Sequence, residues 1–140
     1  MLDYSSQNIF SSPPGSTLVF ALDTRGEGDG VDLLRLRFPL TYRAYRKFCI
    51  RHAPGEAFIA PEENGYVIAC LITKTDYDTD DDILDNTRFA LDNLVRSKSY
   101  LTYYSIKLNY GVFSVRWYDT EKIIEDFVNK FNVNWVICNG

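Results

Sequence analysis

Two glycine-bearing stretches hold the residues whose types and spacing could do chemistry. "SIKLNYGVFSVRW" (105–117) is an alternating, β-prone run that stops at Gly111, and an amphipathic helix begins a few residues later. Backbone N–H groups at such a turn can receive phosphate oxygens, and glycine lets the anion come close. "GEGDG" (26–30) also follows an apolar run, but its G-x-G-x-G spacing only loosely matches the dinucleotide fingerprint G-x-G-x-x-G. Asp76, Asp78, Asp80 and Asp82 alternate as calcium ligands do. Asp81, however, stands where the sharp-turn glycine belongs and Thr87 where the bidentate glutamate belongs, so a solvated helix start is expected there. His52 is the one histidine, which leaves no His-based metal cluster and little room for a Ser-His-Asp or Cys-His arrangement. It is expected as a surface side chain. Cys49, Cys70 and Cys138 are too scattered for a zinc knuckle and odd in number for a disulfide framework.

Composition narrows the class. A chain of 140 residues, 46% hydrophobic and 24% charged, reads as one globular domain (1–140) with a real core rather than as a disordered segment. No apolar run approaches the ~20 residues that span a bilayer, and "MLDYSSQNIFSS" lacks the pattern of a signal peptide. An intracellular location, cytoplasmic or nuclear, follows as the expectation. The net charge of −4 argues against general attraction to nucleic acid. One local exception is basic: Arg35, Arg37, Arg43, Arg46, Lys47 and Arg51, with Tyr42, Tyr45 and Phe48 between them. A solvated helix face accounts for it, and a polyanion or partner surface is the sharper alternative.

The positioning elements follow from periodicity. "STLVFAL" (16–22) is a nearly continuous apolar run, hence a buried strand. "VDLLRLRF" puts Val31, Leu34 and Phe38 on one helical face and is stopped by Pro39. "TYRAYRKFCIRH" reads as a second helix, and "EAFIAPEENGYVIACLIT" as two strands joined by "PEENG". Ile83, Leu84, Thr87, Leu91, Leu94 and Val95 mark an amphipathic helix whose aspartates sit where the helix dipole favours negative charge. "YLTYYSIKLN" reads as a strand. "DTEKIIEDFVNKF" reads as a helix capped by Asp119, and "VNWVIC" as a closing strand. Strands alternating with helices argue for a central sheet covered on both faces.

Taken in order, these pieces resemble a macrodomain, most of all the branch of the terminal ADP-ribose protein glycohydrolases. "QNIF" stands where that branch has G-D-[IL]-[FT]; "TLVFAL" is similar to its first buried strand and "GDGV" to its G-x-G-[IV] helix opening. "GYVIACLITK" ends in the branch's L-I-T-K, "LNYGVFSVRW" resembles I-G-C-G-L-D-x-L-x-W, and "EKIIEDFVNKFNVNWVIC" resembles the closing helix and strand. The order and spacing of all six carry the likeness. It implies an α/β fold, a three-layer α/β/α sandwich with a mixed sheet of about six strands. ADP-ribose would lie across the strand ends, its diphosphate between two glycine-rich loops. In the branch a lysine attacks the anomeric carbon of ADP-ribosyl-glutamate and an aspartate assists, because an ammonium has no lone pair to give.

Carried over residue by residue, the likeness puts Lys74 at the nucleophile position and Phe113 at that of the assisting acid. Phenylalanine can neither take nor give a proton. Asn8 and Ile9 fall at the adenine end; Gly28, Gly30 and Val31 form the first phosphate turn; Asn109, Tyr110, Gly111, Val112 and Phe113 form the second. Asn109 and Tyr110 replace a glycine and a small residue, and Tyr110 is bulky enough to fill the cleft. Asp29, with Glu27 and Asp32 nearby, brings negative charge that repels a diphosphate unless it points away or Arg25 offsets it. The expectation is therefore a divergent macrodomain acting as a binding or interaction module for ADP-ribose or a related nucleotide, free or as a protein modification, with its hydrolase chemistry lost. The alternatives are an active ADP-ribosyl-glutamate hydrolase using Lys74 with Asp76 or Asp78, and a scaffold with an occluded pocket that binds a protein partner. No cofactor, metal, membrane or nucleic acid is called for.

Overall fold

The computed structural model describes residues 1–98 and 100–140. Its elements run β1 (Leu2–Ser5), β2 (Thr17–Asp23), α1 (Val31–Arg37), α2 (Pro39–Phe48), β3 (Ala57–Ile59), β4 (Val67–Lys74), α3 (Asp80–Ser97), β5 (Thr102–Ser105), α4 (Trp117–Phe131) and β6 (Asn134–Cys138). Among the described residues the strands form one six-stranded sheet in the order β1-β6-β5-β2-β4-β3. Every neighbouring pair is parallel except β3 with β4.

The sheet is a mixed sheet between two helical layers, as the alternating pattern implies. Every residue of β2 is buried, the signature of a central parallel strand with helices on both faces. Leu18, Phe20 and Leu22 pack with Val31, Leu34 and Tyr45 from the α1–α2 side. Val19 and Ala21 face the other way, toward Leu91, Leu94, Ile124 and Phe127 of α3 and α4. The chain leaves β2 toward β4 through one helical layer, and reaches β5 and β6 through the other. Neighbouring β2 and β5 therefore send their following loops in opposite directions, which opens a crevice at their carboxyl ends.

Local chemistry sets the boundaries. Pro39 both ends α1 and starts α2, taking the first-turn position where no N–H is needed. The free amides of Leu40 and Thr41 are then met from a distance by the Glu63 carboxylate, at 3.2 and 2.9 Å. α3 opens with a reciprocal capping box between Thr79 and Asp82, with Asp80 and Asp81 beside them in the first turn. The acidic run is thus a helix start, and no metal-holding group of three or more His, Cys, Asp or Glu occurs among the described residues.

Three expectations need correction. The strand read over "YLTYYSIKLN" ends at Ser105. Ile106 packs on the α1–α2 side, whereas Leu108 packs on the α3–α4 side. Two positions apart on a strand they would share a face, so the backbone must turn between them. Asp119 does not cap α4: the cap residue is Arg116, and Asp119 sits in the first turn, where it accepts from Arg116 Nε and Nη2 at 3.2 and 2.9 Å. The second helix stops at Phe48 rather than His52. His52 is then a surface side chain stacked on Phe48 at 3.7 Å, with Nδ1 2.8 Å from Glu56 Oε1. β1 carries no apolar pattern and is held by its pairing with β6.

No helix among the described residues is long and apolar enough to cross a membrane. The three thiols are free, and burial pushes each of them above the ordinary cysteine value. Burial thus disfavours the thiolate form that a nucleophile or metal ligand needs. Leu71, fully buried in β4, gives a direct test of the layer packing. Leu71→Ala should cost about 2–5 kcal/mol, seen as a lower urea midpoint with an unchanged slope.

Candidate functional site

The loops that follow β2, β4, β5 and β6 gather at the carboxyl edge of the sheet. Beside the β2–β5 crevice lies an open cleft of about 350 Å³ lined by Asp29, Gly30, Ile106, Lys107, Tyr110, Gly111 and residues 138–140. Gly30 has φ +77°, and a Cβ there would crowd Phe20 and Ile106 at 3.1 and 3.0 Å, so glycine is required for both reasons. Gly28 and Gly30 lie in one turn and Gly111 in another that meets it through Asp29.

The contact between those turns was not anticipated. Asp29 Oδ2 accepts from Gly111 N–H at 2.8 Å and Oδ1 from Val112 N–H at 2.7 Å. A Cβ at position 111 would lie 2.6 Å from Asp29 Oδ1, so Gly111 is what allows this approach. The charge read as repulsive is neither turned outward nor offset by Arg25. It has been drawn onto the second turn's own amides, while Arg25 pairs with Asp76 at 3.2 Å and Glu27 with Arg35 at 2.9 Å. The signal available in sequence was an acid between two glycines; its target was not.

Asn109 fixes the second turn from below. It adopts φ +62°, a conformation that asparagine tolerates better than most residues. Its buried side chain bridges two layers: Oδ1 accepts from Thr73 Oγ1 and Nδ2 donates to Thr87 Oγ1, both at 3.0 Å. The Thr87 hydroxyl donates in turn to the Ile83 carbonyl at 2.7 Å. Sequence reasoning found the position but neither threonine. Tyr110 does not fill the cleft: its ring stands half-exposed at the wall, 5.1 Å from Lys107 Nζ. Val112 is exposed, and Val31 and Ile9 are core residues of the α1–α2 layer. Asn8 caps a short 3-10 turn (Ile9–Ser11), its Oδ1 accepting from Phe10 N–H at 2.9 Å.

Lys74 and Phe113 do come together. The ammonium lies 5.7 Å from the ring centroid, within cation–π range, and donates to the Thr75 carbonyl at 2.9 Å. The nearby acids are committed elsewhere. Asp78 accepts from Thr75 N and Oγ1, both at 2.7 Å, and Asp76 holds Arg25. No carboxylate bonds Lys74 among the described residues. On the α2 side a second, larger cleft of about 680 Å³ is lined by Arg25, Arg35, Arg43, Arg46 and Lys47 around Tyr42 and Ile50.

The Asn109 bridge predicts a graded stability series. Asn109→Gly keeps the backbone conformation but strands the buried Thr73 hydroxyl and takes from Thr87 the donor it accepts, for about 1–3 kcal/mol. Asn109→Ala should lose about 1 kcal/mol more, because alanine resists positive φ. Chemical denaturation of both variants measures the difference.

No protein-family model matches this chain. The ADP-ribose 1''-phosphate phosphatase of Candida albicans is 28% identical over 155 residues, covering 95% of this chain and 98% of that protein. Among solved structures, the macrodomain of Mycobacterium tuberculosis DarG superposes with a TM-score of 0.81 at 20% identity, covering 99% of this chain and 97% of that one. Thermosipho africanus DarTG in complex with ADP-ribose superposes with a TM-score of 0.75 at 16% identity, over 98% of this chain and 41% of that one. Six strands in this order between two pairs of helices, superposing over essentially the whole chain, are the macrodomain fold, and this protein is a macrodomain by fold.

Proposed function

We propose that this macrodomain is a reader rather than a hydrolase: it binds ADP-ribose or a closely related nucleotide, free or attached to protein, and does not cleave the glycosidic bond. The observation that carries the reading is the Lys74–Phe113 pair. An attacking lysine must lose a proton, and its partner must then support the departing group. The ring beside Lys74 attracts a cation but can do neither. Asp76 and Asp78, the helpers the active alternative would use, already serve Arg25 and Thr75.

Binding is supported by the parts that survive. The two glycine turns still face one another at the switch point of the sheet, Lys107 lines the cleft as a cation for phosphate, and Tyr110 offers an aromatic wall. The Candida albicans relative is named for an ADP-ribose phosphate, and the Thermosipho africanus structure holds ADP-ribose.

The test is turnover of a peptide carrying ADP-ribosyl-glutamate, followed by chromatography of released ADP-ribose. The expected result is no release above that of Lys74→Ala, together with calorimetric binding of ADP-ribose. Release that drops on Lys74→Ala, or a borohydride-trapped Lys74 adduct, would overturn the reading.

A second reading rests on the basic cleft beside α2, where five cations surround an apolar floor. An acidic segment of a partner protein fits it by charge, and arginine with aromatic residues is the usual hot-spot chemistry. Arg43→Glu with Arg46→Glu separates the two readings. The double variant should abolish capture of an acidic partner while leaving ADP-ribose affinity unchanged.

A further inference from the structure

We propose that Asp29 is a built-in occupant of the phosphate seat, so that a ligand's phosphate must displace this carboxylate to enter. This deepens the reader reading above and rests on it for the identity of the ligand. The contact itself stands independently.

Three features of the contact support a competing occupant over an ordinary loop staple. Its geometry is that of a bound oxyanion: one carboxylate oxygen on each of two consecutive backbone N–H groups, at 2.8 and 2.7 Å. Successive amides converging on one anion are a phosphate-binding arrangement. The residues are also unrelated in sequence, 82 and 83 positions apart, so the bond joins two loops that meet only at this cleft. Finally, the acid is reachable. Asp29 is half-buried, it lines the open cleft together with Lys107 and Tyr110, and the two amides belong to exposed residues.

The physical consequence is a tax on affinity. A ligand that needs those amides binds only the fraction of molecules in which Asp29 has left them, and its apparent dissociation constant rises by the inverse of that fraction. Once displaced, the carboxylate is still on the same short loop and repels a diphosphate. Removing the charge should relieve both effects. The chain would therefore be a low-affinity reader, responding to densely presented or abundant ligand rather than to trace amounts.

The test uses the full chain, 15N-labelled, as wild type, Asp29→Ala and Asp29→Asn. The asparagine variant keeps the size of the side chain and secures a folded sample should alanine loosen the loop. Each is titrated with inorganic pyrophosphate while the Gly111 and Val112 amide resonances are followed, and with ADP-ribose by calorimetry. The expected result is saturable movement of both resonances at pyrophosphate concentrations on the order of tenfold lower in the variants than in wild type, with a matching gain for ADP-ribose. If the variants bind both probes no more tightly than wild type, Asp29 is a staple and the inference fails, while binding of ADP-ribose by all three would leave the reader reading standing. If pyrophosphate moves Gly111 and Val112 more readily in the variants but ADP-ribose binds none of the three proteins, the occupant role holds and the reader reading falls.

Discussion

The site depends on one buried residue that never faces the cleft. Asn109 must turn the chain with a positive φ and must satisfy two threonine hydroxyls, one from β4 and one from α3. An asparagine side chain offers one acceptor and two donors, so a single residue can join both layers. A buried polar network is stabilising only when every member is satisfied. This one is, and the Val115 amide donates back to the Asn109 carbonyl at 2.9 Å, closing the turn that follows. With Asn109 fixed, the Gly111 and Val112 amides are aimed at Asp29, and Phe113 is aimed at Lys74.

Electrostatics then orders the surface around that turn. Six acidic side chains lie along the carboxyl edge, and each has a local donor: Asp23 the amides of Arg25 and Glu27, Asp29 the turn amides, Glu27 and Asp32 the guanidinium of Arg35, Asp76 that of Arg25, Asp78 the backbone and hydroxyl of Thr75. The exposed pairs contribute little stability. Lys74 takes part in none of these pairs; it donates to the Thr75 carbonyl and lies over the Phe113 ring. Among the described residues no carboxylate forms an ion pair with this lysine.

Much of this was legible in the sequence, and the places where it was not share a cause. The buried strand read at 16–22, the hairpin and the helices α1, α3 and α4 follow from apolar patterning, because that patterning is the physical reason they bury. Reading 106–109 as strand failed because Ile106 and Leu108 are both apolar, and a pattern of apolar residues does not say that they serve opposite faces. Asp119 failed as a cap because the helix begins two residues earlier, at Trp117, which leaves Asp119 inside its first turn. β1 left no trace, since its support is a neighbouring backbone.

The sequence by itself determined the layers, the order of the elements from β2 onward, the two glycine turns and the absence of an acid at position 113, all of which depend on residue type and local spacing. Only the tertiary structure decided that Tyr110 stands aside, that Asp76 and Asp78 are already engaged, and that Asp29 closes on the amides of the opposite turn. Those outcomes depend on which loops meet at the switch point between β2 and β5. Partners 82 residues apart are chosen by distance in space, and a chain read one residue at a time contains the charges but not the distances between them.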